Sequence, residues 1–280
     1  MRPSRTAILC SLLTASVAGC TPIQLRGLPP ETPTNAAATT VASCPVTASW
    51  APAPPISADS LSDYQKSVEA RNRNDWAFLA RYKQANAELG DPKPGEARVV
   101  FMGNSITDAW AKSFPTMFPG KPYVGRGISG QTTPQMLVRC RQDVGELKPR
   151  VVVILAGIND IAGNTGPATQ EMIADNLKSM TEIAKANGII VVLSSVLPAY
   201  DFPWRRGIGP APKVVALNAW IKCYAAQVGA VYLDYYSKMV DARGGLSPEM
   251  ATDGVHPTEA GYRIMAPLAE AAIQEALRQH

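Results

Sequence analysis

Val151-Val152-Val153-Ile154-Leu155-Ala156-Gly157-Ile158-Asn159-Asp160 is the stretch that decides the fold class of this chain. Its first four residues are all β-branched and show no polar alternation, so the strand they build needs cover on both faces. Such strands belong to sheets sandwiched between helices, and Gly157 marks the turn out of the sheet. Working outward, shorter apolar runs at Arg98–Met102, Pro122–Val124, Ile189–Leu193 and Val231–Leu233 read as further strands. Between and after them, helical periodicity covers Pro134–Leu147, Thr169–Asn187, Lys213–Val228 and Thr258–Arg278. Strand and helix alternate, which predicts one α/β domain over 98–280: a three-layer α/β/α sandwich around a mostly parallel sheet with right-handed crossovers. Ahead of it, Leu61–Asn72 and Asp75–Leu89 read as a helical collar within 57–97, with Asp75 as an N-cap and Trp76, Leu79 and Tyr82 on one face.

The 280 residues are 46% hydrophobic and 18% charged, so the chain can bury a core and is not a disordered protein. A formal charge of +4 is too small for an electrostatic nucleic-acid binder, and no nucleic-acid partner is expected. The two histidines are His256 and the C-terminal His280, so chemistry that needs an imidazole has one internal candidate.

Ligands of parallel α/β sheets sit beyond the carboxyl ends of the strands, which directs attention to the polar blocks there. Gly103-Asn104-Ser105-Ile106-Thr107-Asp108 follows the first strand, and Gly127-Ile128-Ser129-Gly130-Gln131-Thr132 follows the second. Gly157-Ile158-Asn159-Asp160 follows the third, and Asp253-Gly254-Val255-His256-Pro257 precedes the last helix. In this order the four blocks resemble the SGNH, or GDSL-type, hydrolase family over roughly residues 98–275. The resemblance implies a five-stranded parallel sheet of order 2-1-3-4-5 and a serine esterase without cofactor. It also implies an oxyanion hole made by the Ser105 N–H, the Gly130 N–H and the Asn159 side chain. The residue chemistry agrees: a serine hydroxyl needs a neighbouring base, and Asp253 can hold the His256 ring in one tautomer. Where the family name implies Gly-Asp-Ser, this chain has Asn104, which is expected to support the turn. Asp160 is expected to fix its own loop by local hydrogen bonds.

Other chemistries fit less well. Gly125 to Gly130 matches G-x-G-x-x-G, but it follows the second strand and no acidic residue closes a recognisable strand about 20 residues later. No serine stands three residues before any lysine, and no Gly-x-Ser-x-Gly elbow surrounds Ser105. The loop Pro198–Gly207 carries Tyr200, Trp204 and Arg205, which are candidates to stack on a sugar or hold an anionic group, or else pack against the domain. Without a long apolar lid, a lipase for long-chain triacylglycerols is disfavoured. The expected activity is hydrolysis of short acyl esters, O-acetyl groups on carbohydrate being the preferred class. Lysophospholipase, short-chain thioesterase and a non-catalytic envelope- or glycan-binding lipoprotein are the alternatives.

Residues 1–19 read as an export signal: Arg2 and Arg5 precede an apolar stretch, Ala7 to Ala18, shorter than the roughly 20 residues of a spanning helix. Val17-Ala18-Gly19-Cys20 resembles a bacterial lipobox, which implies lipidation of Cys20; an ordinary secretory signal is the alternative. Thr21, in place of an aspartate, favours an outer-membrane destination, and the Pro/Thr/Ala-rich 20–56 reads as an extended tether. Export leaves Cys44, Cys140 and Cys223 in an oxidising compartment, with no zinc-like Cys/His spacing and hence no expected metal site. In the sheet order that the resemblance implies, the helix of residues 169–187 separates Cys140 from Cys223. That favours a Cys44–Cys223 disulfide, with three unpaired thiols as the next possibility.

Overall fold

The computed structural model describes residues 44–54 and 61–279. The export signal, Cys20 and most of the expected tether lie outside the described residues. In chain order the helices are α1 (Asp63–Asn74), α2 (Lys83–Leu89), α3 (Ser105–Ala111), α4 (Phe114–Met117), α5 (Thr133–Asp143), α6 (Ile158–Ile161), α7 (Gln170–Ala186), α8 (Pro210–Val228), α9 (Tyr236–Met239) and α10 (Glu259–Gln279). The strands are β1 (Val99–Gly103), β2 (Tyr123–Gly127), β3 (Val151–Ile154), β4 (Ile190–Ser194) and β5 (Val231–Leu233). They form one parallel sheet in the order β2-β1-β3-β4-β5.

Strand periodicity sorts the central side chains between two cores. Val100, Met102, Val152 and Ile154 pack with α5, α7 and α8, whereas Val99, Phe101, Val151 and Val153 pack with α3, α4 and α10. All nine residues of β1 and β3 are buried, which accounts for their unbroken apolar character. On the second face, Phe101 is the hub of an aromatic cluster, with ring centroids 5.6 Å from Trp110 and 4.8 Å from Phe114.

Three expected helices differ from those observed. The expected helix Asp75–Leu89 is broken. The Asp75 N–H closes α1 on Arg71 O, and its carboxylate accepts the Leu79 and Ala80 N–H groups at 2.8 and 2.9 Å. Phe78 turns left-handed at φ 51°, a short 3-10 turn over Leu79–Tyr82 follows, and only then does α2 begin. Trp76 and Leu79 are exposed while Tyr82 is buried, so the expected common face does not form. The bend lets the carbonyls of Trp76 and Ala77 accept from Gln135 and Gln131, and the Tyr82 hydroxyl donate to Gly127 O. Tertiary docking thus overrides helical periodicity in the collar. The helix expected to reach Leu147 stops at Asp143, and α8 starts at Pro210, ahead of Lys213, because proline is tolerated in a first turn.

The described part of the expected tether lies on the domain. Trp50 Nε1 donates to Ala168 O at 3.1 Å, the Ala48 N–H donates to Gln170 Oε1, and Ala53 is buried. Cys44 and Cys223 are joined by a disulfide with a Cα separation of 5.8 Å. Cys140 is a buried free thiol whose pKa burial pushes up to about 11. It sits on α5, and α7 packs against both α5 and α8. Non-reducing peptide mapping should therefore recover Cys44 linked to Cys223, with Cys140 alkylated only after unfolding. A Cys140–Cys223 link would contradict this helix arrangement.

Candidate active site

The site begins with how closely α3 lies on the sheet. A Cβ at Gly103 would stand 2.0 Å from Thr107 Oγ1, at Gly125 2.3 Å from Ala111 Cβ, and at Gly127 2.1 Å from Asp108 N. Glycines on β1 and β2 thus admit the helix backbone, and the Gly125-x-Gly127 half of the formal phosphate fingerprint serves packing. On the other side, the Tyr262 hydroxyl donates to Ile106 O at 2.8 Å and its ring stacks on Trp110. Asn104 Oδ1 accepts the Ile106 N–H at 3.3 Å, an N-cap that delivers Ser105 as the first helical residue. The N–H of Ser105 is then one of the four at a helix start that have no intrahelical acceptor.

Ser105 Oγ lies 2.8 Å from His256 Nε2, and His256 Nδ1 lies 2.6 Å from Asp253 Oδ2. The other Asp253 oxygen accepts the N–H groups of Val255 and His256, at 2.9 and 2.7 Å, so the loop wraps its own carboxylate. Burial alone would raise the Asp253 pKa. The hydrogen bonds from the His256 ring, the His256 N–H and the Val255 N–H outweigh it and hold the carboxyl below its ordinary value. The stabilisation from these bonds is in force above the unfolded carboxyl pKa and is lost as pH falls through the lower folded one. Asp253 therefore stays ionised in mildly acidic solution.

The expected oxyanion donors belong to the segments that follow β1, β2 and β3. Gly130 has φ 81° in a turn closed by the Gln131 N–H on Ile128 O, a conformation that favours glycine. Buried Asn159 donates one amide hydrogen to Gln131 O at 2.9 Å, which leaves the other for a ligand. Asp160 is fully buried and reaches beyond its own loop, a correction to the expected local role. It accepts the N–H and hydroxyl of Thr133 at the start of α5, and Asn176 donates to the same hydroxyl. Burial raises its pKa to about 6 against the Thr133 bonds. Its contribution to stability is therefore greatest at low pH and is lost as pH rises through that value.

Of the three loop residues expected to line the site, Trp204 is the one that contacts the His256 ring, with centroids 5.9 Å apart. Its ring stacks on buried Phe202, and its Nε1 donates to Asn164 Oδ1 at 3.2 Å. Tyr200 instead backs onto Gly245 and lies under the Arg243 guanidinium. Arg205 turns to the carbonyls of Ala162 and Gly163, which the end of α6 leaves free, and acts as a strap. Neither Tyr200 nor Arg205 is a lining residue in this arrangement.

Two supporting residues were missed from the sequence. Asn164, which accepts from Trp204, also donates to Gly130 O at 3.3 Å, and nothing local signals that role. Arg139 is wholly buried: its guanidinium donates to Gly103 O, Arg126 O, Gln131 Oε1 and Asp143 Oδ2, at 2.8, 2.9, 2.5 and 3.1 Å. A charged residue beside the apolar stripe Met136, Cys140 and Val144 was the available clue.

A parallel 2-1-3-4-5 sheet with a Ser-His-Asp chain at its strand ends defines a hydrolase class. The chain belongs to the GDSL-like lipase/acylhydrolase family, whose model matches residues 101–264, and it is a carboxylic ester hydrolase. It is 27% identical to Esterase TesA of Pseudomonas aeruginosa over 167 residues, covering 58% of this chain and 77% of the relative. A GDSL-like lipase of Bacteroides thetaiotaomicron is 48% identical with a TM-score of 0.70, covering 72% of this chain and 100% of that one. Axe2, an acetylxylan esterase from Geobacillus stearothermophilus, shares the fold at 22% identity and a TM-score of 0.52, covering 63% of this chain and 94% of that one.

Arg139→Lys keeps the charge beside Asp143 but cannot reach the carbonyls and the Gln131 side chain together. It should destabilise the domain by about 2–4 kcal/mol in urea unfolding. An unchanged midpoint would show that the buried network is dispensable.

Proposed function

We propose that Ser105 is the nucleophile of a serine esterase, that His256 is its base and that Asp253 orients the ring. The Ser105–His256–Asp253 hydrogen-bonded chain carries this reading. Ser105 Oγ attacks the ester carbonyl as its proton passes to His256 Nε2, giving a tetrahedral oxyanion. The N–H groups of Ser105 and Gly130 and the free amide hydrogen of Asn159 surround that oxygen. Collapse breaks the bond to the alcohol, which leaves with the proton from Nε2. Water then attacks the acyl-enzyme by the reverse proton path, and the carboxylic acid is released.

The acyl groups in this reading are short, O-acetyl on carbohydrate foremost. Trp204 supports the choice. Its ring lies against His256, where the alcohol departs, and its attachment to Phe202 and Asn164 makes it a fixed platform suited to a sugar face. We further propose that Cys20 carries a lipid that anchors the enzyme to a membrane, outside the cytoplasm.

Ser105→Ala and His256→Ala should each lower kcat on p-nitrophenyl acetate by at least about 10⁴-fold without loss of fold. Asn159→Ala should lower kcat by about 10²–10³-fold with little change in KM; an effect on KM alone would reassign that side chain to ground-state binding. Release of acetate from acetylated oligosaccharides, compared with fatty acid from lysophospholipids, tests the substrate class. For the anchor, Cys20→Ser should move the protein from the membrane fraction to the soluble fraction, and a wild-type protein soluble without detergent would refute lipidation.

A further inference from the structure

Helix α1 begins with a complete capping box, in which Ser62 and Gln65 satisfy each other's backbone N–H groups, yet none of its twelve residues is buried. A half-buried stripe of Leu61, Gln65, Val68, Arg71 and Asn72 faces the domain. Tyr64, in the first turn, is 58% exposed, so its ring has little packing to contribute to stability. Its hydroxyl nevertheless has a defined address. On the side of Gly130 where a Cβ would point, Tyr64 Oη stands 3.5 Å from that position, and among the described residues nothing else comes within 4 Å. Gly130, at φ 81°, is the residue whose N–H the proposed mechanism assigns to the oxyanion. The collar therefore brings a hydroxyl able to hydrogen-bond to the turn that carries Gly130.

We infer that Tyr64 is a substrate-contacting residue whose hydroxyl hydrogen-bonds the acyl group held beside Gly130. The inference rests on the assignment of Ser105 as nucleophile and Gly130 as oxyanion donor. Because the contact is to the acyl half, it acts whatever alcohol is attached. Tyr64→Phe removes only the hydroxyl and Tyr64→Ala removes the ring as well. Both should lower kcat/KM about three- to tenfold, by the same factor for p-nitrophenyl acetate and for an acetylated sugar, with the thermal midpoint unchanged. An unchanged kcat/KM in Tyr64→Phe overturns the role, as does a loss confined to the sugar ester or seen only in Tyr64→Ala. Labelling of Ser105 by a fluorophosphonate is read in the same preparations. If Ser105 labels and Tyr64→Phe is silent, the Tyr64 contact fails alone; if Ser105 in the wild type does not label, the nucleophile assignment fails and the contact with it.

Discussion

The guanidinium of Arg139 holds the site together from below. It is wholly buried, so every N–H it carries is costly unless paired, and burial lowers its pKa against the opposing pull of Asp143. Its partners belong to the segments that must be placed relative to one another. Gly103 O lies two residues before Ser105, Arg126 O is in β2, and Gln131 follows Gly130. Gln131 passes the constraint on, since its amide donates to Ala77 O in the collar and its carbonyl accepts from Asn159. One buried cation thus ties the end of β1 before Ser105, the loop that carries Gly130 and the collar into a single polar network. The planar fork of arginine spreads five N–H donors over a fixed span, where a lysine ammonium offers three from a single point.

Above this network, contact distance decides the placement of Ser105. Three glycines without Cβ atoms let α3 settle on β1 and β2 closer than any side chain would allow. The Tyr262 bond to Ile106 O links the same helix to α10, which starts just after the His256 loop. Ser105 and His256 therefore come from opposite ends of the domain but share one aromatic clamp, Trp110 on Tyr262. A hydrogen bond of 2.8 Å between residues 151 apart in sequence is possible because both loops are fixed before any substrate arrives.

A second layer of contacts makes the rim. Trp204, Asn164 and Gly130 form a chain that joins the loop after β4 to the turn after β2, so the ring beside His256 and the Gly130 turn are mechanically connected. Residues 44–54 add a strap over the α7 and α8 layer, secured by Trp50 and by the disulfide from Cys44 to Cys223 of α8. A disulfide that closes so long a loop restricts the unfolded chain more than a short one would.

The primary structure determined the layers, the strands and the four polar blocks by itself, because these depend on short-range periodicity and on residue types at strand ends. Continuous valine and isoleucine runs have one comfortable environment, a strand covered on both faces, and His256 was the sole internal imidazole. The tertiary structure decided what depends on distant partners. Asp75 reads locally as the start of a helix, yet it ends one, because the carbonyls of Trp76 and Ala77 are needed by Gln135 and Gln131 far along the chain. Arg205 and Trp204 are sequence neighbours of similar promise, and only the fold sends one to backbone carbonyls and the other to His256. Asn164 carries no local signature, and Arg139 only its charge beside an apolar stripe, since a buried hydrogen bond is specified by both of its ends and the sequence shows each end alone.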